Sequence, residues 1–171
     1  MSRTLILMRH AKSSWDDFMQ PDHARPLNAR GRTSATAMGK WLRDNDYLPD
    51  ELLSSTAERT RETYAQLGIT AVKTRYEDAL YHANADVMLR VLQTAEANSI
   101  LLLGHNPGIA YFAEMLAKQP ATHPRFFDYP TCATTVIRFD AAKWAEVQFS
   151  QGTILDFAIP REVIATQSDA T

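Results

Sequence analysis

Two histidines and two arginines follow apolar segments of this sequence. They are Arg9 and His10 after the first segment, Arg59 about one helical turn beyond the second, and His105 at the end of another. An arginine guanidinium matches phosphate oxygens with a fixed fork of donors and stays charged at any working pH. A neutral imidazole nitrogen can attack phosphorus and form a covalent intermediate. These residue types therefore predict phosphoryl transfer, with one histidine as nucleophile and the other as a hydrogen-bond donor.

The elements that must position these residues are strand-like apolar segments that alternate with helical patterns. We predict strands at residues 4–8, 51–54, 73–76, 99–103, 134–139, 145–150 and 154–157. We predict helices at residues 28–44, 55–68, 85–97 and 106–118. This alternation is typical of a three-layer α/β/α sandwich with a largely parallel sheet. Because ligands bind at the carboxyl ends of parallel strands, the four residues should converge at one edge of the sheet.

Local signals mark where several of these helices begin and end. Asn28 is suited to cap the first helix, residues 55–58 have the pattern of a capping box for the second, and Gly68 ends that second helix. Asn106 and Pro107 are suited to the cap and first turn of a later helix. The positive end of that helix would face a bound anion, which makes Asn106 a candidate substrate-binding residue.

The composition indicates one globular domain and excludes several functional classes. The 171 residues carry 22% charged side chains and a net charge of −2 without a basic run, so nucleic-acid binding is not expected. We expect a single domain over residues 1–160 and a polar, mobile tail over residues 161–171. The apolar runs are too short for a membrane span and the first residues lack a signal-peptide core, which favours a cytoplasmic protein. Cys132, the one cysteine, allows neither an intrachain disulfide nor a thiolate metal cluster.

Four ordered blocks of the sequence resemble a known family. Residues 7–13 (Leu-Met-Arg-His-Ala-Lys-Ser) resemble the signature of the histidine phosphatase superfamily, which is phosphoglycerate mutase-like. Residues 22–31, with the Arg-Pro-Leu motif, resemble the second block of its SixA-type phosphohistidine phosphatase branch. Residues 54–60 and 103–108 resemble the third and fourth blocks. The order and spacing agree over nearly the whole chain, to about residue 157.

The resemblance implies a role for each matched residue. His10 would be the phosphorylated nucleophile, Arg9 and Arg59 would bind the phosphoryl group, and His105 would complete the pocket. Arg25 matches the arginine of the Arg-Pro-Leu motif and would be a further phosphate ligand. The resemblance also implies a mixed, mostly parallel sheet, no metal and no organic cofactor. The substrate would be a phosphorylated protein, with phosphohistidine foremost, or a small phosphorylated molecule.

Departures from the family pattern bear on the substrate. Ala11 takes the place of the usual glycine after the nucleophile, as is common in this branch. Where many relatives carry a glutamate general acid, this chain has Glu77, Asp78, Tyr81 and His82. The acid is left open among Glu77, Asp78, His82 and solvent. An ester leaving group needs a positioned acid, and the short chain has no room for insertions that cover the pocket, so an open site favours phosphohistidine.

Three other interpretations are weighed against this one. Cys132 and Arg138 have the spacing of the protein tyrosine phosphatase loop, but that loop needs glycines and a following helix, and this β-branched segment predicts a strand. A small-molecule phosphomonoesterase or mutase of the same superfamily is a second interpretation. A non-catalytic module that binds phosphorylated partners is the third, although such a module would usually lack the nucleophile or an arginine.

Overall fold

The computed structural model describes residues 1–169 and has a central six-stranded sheet with helices on both faces. The strands are β1 (Arg3–Arg9), β2 (Glu51–Ser55), β3 (Lys73–Glu77), β4 (Ser99–Gly104), β5 (Thr134–Phe139) and β6 (Thr153–Ala158). The helices are α1 (Ala29–Asp44), α2 (Glu58–Leu67), α3 (Ala85–Leu92), α4 (Gly108–Leu116) and α5 (Pro160–Asp169). Short 3-10 turns lie at Asp22–Ala24, Asp78–Leu80 and Trp144–Glu146. Within residues 1–169, none of the helices is both long and apolar enough to cross a membrane.

The strand order β3-β2-β4-β1-β5-β6 makes the sheet mixed and mostly parallel. β1, β4, β2 and β3 pair in parallel, whereas β5 runs antiparallel to both β1 and β6. Arg9 pairs with Gly104, and Ser54 pairs with Leu103, so β1, β2 and β4 end at the same level. The residues that follow these strands therefore emerge side by side at one edge of the sheet.

Side-chain alternation along the strands divides the core into two layers. In β1, Leu5 and Leu7 pack with α3 and α4 on one face, while Ile6 and Met8 pack with α1, α2 and α5 on the other. All four of these side chains are fully buried. In β4, Leu101 and Leu103 lie on the face of Ile6 and Met8, whereas Ile100 and Leu102 lie on the opposite face. The predicted three-layer α/β/α sandwich is confirmed.

Two predictions for the second half of the chain are wrong, namely the end of the third helix and a strand at residues 145–150. The third helix ends at Leu92 rather than near residue 97, because the backbone N–H groups of Glu96 and Ala97 turn to the buried carboxylate of Glu51. Residues 145–150 form no strand. The indole of Trp144 is buried, its N–H donates to the Ala97 carbonyl at 2.6 Å, and the chain turns there in a 3-10 helix.

The expectation of a mobile tail is wrong for the residues up to Asp169, which form α5. Val163 is buried against α1, and the Gln167 amide donates to the Ala37 carbonyl at 3.0 Å. The remainder of the predicted tail, residues 170–171, lies outside the described residues. Because the helix is polar on most of its surface, its sequence resembles an unpacked tail.

Of the predicted boundary signals of α1 and α2, two are confirmed and one is wrong. Asn28 caps α1 as predicted, since its side chain accepts the Gly31 N–H at 2.8 Å. Gly68 ends α2 in the left-handed conformation, as predicted. The capping box before α2 is wrong, because the N-cap is Ala57 and the Ser55 hydroxyl is used elsewhere.

Candidate active site

His10 follows β1 directly and is held in place by the backbone on both sides. Its N–H donates to the Gly104 carbonyl at 3.1 Å, and its own carbonyl accepts the Cys132 N–H at 2.9 Å. The next N–H, that of Ala11, donates to the Thr63 hydroxyl of α2 at 3.0 Å. The imidazole is therefore fixed at the junction of β1, β4, the segment before β5 and α2.

The hydrogen bond of the His10 ring determines its tautomer. Nδ1 lies 2.7 Å from the Ala11 carbonyl, which can only accept, so Nδ1 carries the proton. Nε2 is left with its lone pair. Burial, and then the charges of Arg9, Arg59 and Arg25, lower the pKa of His10 to about 3, against the opposing effect of the Ala11 bond. At neutral pH the ring is thus uncharged, and the lone pair on Nε2 is chemically suited to nucleophilic attack.

His105, which follows β4, lies beside it with ring centroids 5.1 Å apart. Its Nε2 is 2.8 Å from the Ser55 hydroxyl, which already accepts the Ala57 N–H at 3.2 Å. The Ser55 hydroxyl can donate to Nε2 or accept from it, and when it donates, the ring proton resides on Nδ1. Burial, together with the proximity of His10 and Arg59, lowers the pKa of His105 to about 2. In the tautomer in which Ser55 donates to Nε2, His105 is a neutral hydrogen-bond donor through Nδ1, which is buried and has no partner within residues 1–169.

Four buried nitrogen atoms around His10 have no hydrogen-bond partner within residues 1–169. They are the Nε atoms of Arg9, Arg25 and Arg59 and the Nδ1 atom of His105, a set that we call the anion pocket. All three guanidiniums are close enough to lower the pKa of His10. A buried donor without an acceptor costs roughly 1–3 kcal/mol, and a tetrahedral oxyanion supplies acceptors to several donors at once. This arrangement is chemically suited to bind a phosphoryl group next to Nε2 of His10.

The carboxylate of Asp22 joins two arginines of this set and was missed by the sequence analysis. It lies 2.8 Å from Arg25 and 3.1 Å from Arg59, and Arg59 also donates to the Asp22 carbonyl at 2.8 Å. The Tyr81 hydroxyl donates to the same carboxylate. The Tyr81 bond, with the two guanidiniums, lowers the pKa of Asp22 well below its ordinary range against the effect of burial. The sequence signal that could have indicated its ion pair with Arg25 is the spacing of three residues, which brings the two side chains together across a helical turn.

The candidate general acids occupy different positions. His82 reaches the rim of the site, with its ring 5.8 Å from that of His105 and Nε2 3.4 Å from the Asp22 carboxylate. Its side chain is 59% exposed and therefore open to solvent. Asp78 accepts a hydrogen bond from Thr56 at 2.6 Å. Glu77 is bound to Arg75 at 2.8 Å on the edge strand β3. Of the three, His82 is the one that the structure brings into contact with the site.

Asn106 is oriented toward a neighbouring loop. Its amide donates to the carbonyls of Asp128 and Tyr129 at 2.9 and 3.0 Å. The prediction that it caps the following helix is wrong, since the N-cap of α4 is Pro107 and Asn106 makes those loop contacts instead. Its role in substrate binding stays a prediction. Among residues 1–169, no group of three or more histidine, cysteine or acidic side chains is arranged to hold a metal ion.

Cys132 is sequestered from the solvent. Its side chain is fully buried, and burial raises the pKa of the thiol to about 12. The residues that follow it form β5, with Arg138 on the exposed side, rather than a glycine-rich loop with a helix behind it. The interpretation of this segment as a strand is confirmed.

The α/β/α fold and the histidine–arginine pocket at its strand ends define a phosphatase. The chain belongs to the histidine phosphatase superfamily (branch 1), whose sequence model matches residues 5–85. An uncharacterized protein of Mycobacterium tuberculosis is 35% identical over 161 residues, which span 90% of this chain and 100% of that relative.

Solved structures of phosphohistidine phosphatase candidates have the same fold. A protein from Nakamurella multipartitia, named as a candidate phosphohistidine phosphatase SixA, superimposes with a TM-score of 0.79 at 30% identity, covering 94% of this chain and 97% of that one. A second SixA candidate, from Agrobacterium tumefaciens, gives a TM-score of 0.76 at 26% identity over 92% and 98% of the two chains. The resemblance to the superfamily and to its phosphoglycerate mutase-like fold is thereby confirmed.

Proposed function

We propose that this phosphatase removes phosphoryl groups from phosphohistidine in proteins, by way of a covalent intermediate on His10. The observation that carries the proposal is the anion pocket, in which four buried nitrogen atoms lack a partner in the described part of the chain and lie beside the unprotonated Nε2 of a neutral histidine. The similarity to SixA candidates at 30% and 26% identity supports the phosphohistidine substrate.

The proposed reaction proceeds in two displacements. In the first, Nε2 of His10 forms a bond to phosphorus while the bond between phosphorus and the substrate nitrogen breaks. The electron pair of that bond remains on the departing imidazole, which carries a proton on its other nitrogen. Arg9, Arg59 and Arg25 bind the equatorial oxygens, and Nδ1 of His105 donates to one of them. In the second displacement, a water oxygen forms a bond to phosphorus while the bond between phosphorus and Nε2 of His10 breaks. The electron pair returns to Nε2, the protons of the water stay with the released phosphate, and neutral His10 is restored.

The charge of Asp22 supports a nitrogen leaving group over an alcohol. The carboxylate is bound to two guanidiniums and to Tyr81, so it remains ionised and has no proton to donate. A departing alkoxide would need that proton. A phosphohistidine ring can acquire its proton from solvent before it leaves, and a nearby carboxylate stabilises the resulting cation. The site therefore favours phosphoramidates.

Phosphomonoester hydrolysis is a second candidate, and one observation favours it. His82 lies at the rim of the site, within 3.4 Å of Asp22, where a protonated imidazole could supply the proton that an alcohol leaving group requires. In this case replacing His82 by Gln would reduce ester hydrolysis strongly and leave phosphohistidine hydrolysis nearly unchanged.

The experiment compares phosphate release from one peptide sequence carrying phosphohistidine, phosphoserine or phosphotyrosine. Wild type, His10→Asn, His82→Gln and the matched control His123→Asn are assayed in parallel. The proposal predicts release mainly from phosphohistidine, abolished only in His10→Asn. Release mainly from the esters, reduced in His82→Gln, would establish the second candidate instead. Binding of phosphopeptides without any release would show a non-catalytic module and refute both.

A further inference from the structure

A groove of about 570 Å³ adjoins the candidate active site, and most of its charged lining residues are basic. Its charged lining residues are Arg9, Lys12, Arg30, Arg125, Arg161 and Asp128, and we call this feature the basic groove. Five basic side chains against one carboxylate give the lining a net charge of four positive, although the whole chain carries −2. The groove is thus positive although the chain as a whole is slightly negative.

Three of these cations have no acidic partner among residues 1–169. Arg125 is bound to Asp128 at 2.8 Å. Lys12, Arg30 and Arg161 are exposed and form no ion pair with any carboxylate of the part of the chain that the structure describes. Clustered cations without counter-charges create a positive potential that attracts and orients an anionic partner.

The basic groove is continuous with the anion pocket. Arg9 belongs to both, and its guanidinium is within electrostatic range of Arg59 on one side and of Asp128 on the other. Lys12 stands two residues after His10. A chain bound along the groove would therefore lead directly to the proposed nucleophile.

An apolar edge beside the same site identifies the kind of partner. Trp15, Phe18 and Met19 lie on the loop after Lys12 and are 69%, 88% and 78% exposed. The Trp15 ring covers the guanidinium of Arg25 at 3.7 Å, which fixes this edge next to the anion pocket. A small anion would leave these side chains in water, whereas a protein partner could bury them.

We propose that the basic groove binds an acidic segment of the phosphoprotein substrate, close to the phosphorylated residue. The proposal rests on the proposed function, because its partner is the substrate of that reaction. The carboxylates of the segment would pair with Lys12, Arg30 and Arg161, while the phosphoryl group occupies the anion pocket. Recognition of the protein is then separate from recognition of the phosphoryl group.

The test exchanges charge on both the enzyme and the substrate. One phosphohistidine peptide carries several glutamates beside the histidine, and its partner peptide carries glutamines instead. The enzyme variant is Arg30→Glu/Arg161→Glu, and the matched control Arg90→Glu/Lys118→Glu makes the same charge change outside the groove. We expect the groove variant to lose about tenfold or more in kcat/KM on the glutamate peptide only, with the control unchanged. The proposal would be overturned if the groove variant lost as much kcat/KM on the glutamine peptide as on the glutamate peptide, or if the control variant lost as much as the groove variant.

A binding measurement makes the groove testable without turnover. Fluorescence anisotropy of a labelled glutamate-rich peptide without phosphate should show binding that weakens with salt and is lost in Arg30→Glu/Arg161→Glu. Such binding without any phosphohistidine hydrolysis would contradict the proposed function while supporting the groove. Equal binding by wild type and groove variant, or binding of a single-stranded RNA but not of the peptide, would overturn the groove whatever the turnover.

Discussion

Lowering the pH from 7 to 5 should remove about 4 kcal/mol of folding stability through His10 and His105 together. Burial is the main reason that the pKa of His10 lies at about 3 and that of His105 at about 2, against 6.5 for an ordinary histidine. Below pH 6.5 the unfolded chain binds two protons that the folded protein excludes. This stability is therefore fully present above pH 6.5 and falls as the pH drops, by about 2 kcal/mol for each ring by pH 5.

The assay is urea unfolding at pH 7, 6 and 5 in buffer without phosphate, because a bound oxyanion would itself stabilise the folded state. Other groups also titrate, so the informative quantity is the difference between wild type and the double variant His10→Asn/His105→Asn. The double variant should lack about 4 kcal/mol of the pH-dependent loss, and each single variant about half of that. An equal loss in wild type and in the double variant would refute the buried neutral state of the two rings.

Three further predictions concern residues around the site. A Cβ on Gly31 would lie 2.1 Å from the Lys12 carbonyl, and one on Gly39 would lie 1.8 Å from the Leu67 carbonyl. Replacement by Ala should lower the free energy of unfolding by about 1–3 kcal/mol at either position, measured by thermal unfolding. Only at Gly31, which packs against the Lys12 backbone two residues after His10, should kcat also fall. Iodoacetamide should leave native activity intact, since Cys132 is buried with its pKa raised to about 12; rapid inactivation would contradict this. Ser55→Ala should lower kcat about fivefold to tenfold, because the His105 ring loses its hydrogen bond to the Ser55 hydroxyl. The matched variant Ser54→Ala should leave kcat unchanged, because the Ser54 hydroxyl bonds to the Ser55 carbonyl and not to His105.

The central site could be predicted from the sequence because strand ends are visible as the limits of apolar runs. Arg9, His10, Arg59 and His105 follow β1, β2 and β4, and parallel pairing brings those strand ends to one edge. The limits of the apolar runs therefore sufficed to predict that these four residues, which are distant in the chain, lie at one edge of the sheet. The continuously apolar run of β1 likewise predicted a strand buried on both faces. In the structure, Leu5 and Leu7 pack on one face and Ile6 and Met8 on the other.

The contacts that tune the site could not be predicted, because they depend on tertiary distances that no local pattern encodes. Asp22 lies in a polar loop, and only the fold brings its carboxylate to Arg59. The Ser55 hydroxyl had the spacing of a capping box, but His105 uses it instead. The same limit applies to α5, whose polar sequence becomes helical by packing Val163 and Gln167 on α1.

The most direct test of the account is to detect the phosphorylated enzyme during turnover. Wild type and His105→Asn are mixed with a phosphohistidine peptide, quenched in base within milliseconds, digested, and examined by mass spectrometry under conditions that preserve phosphoramidate bonds. The account predicts one phosphoryl group on His10 that appears before free phosphate and decays as phosphate is released. Turnover at the wild-type rate with His10 unmodified, or with the phosphoryl group on Cys132 or another residue, would contradict it.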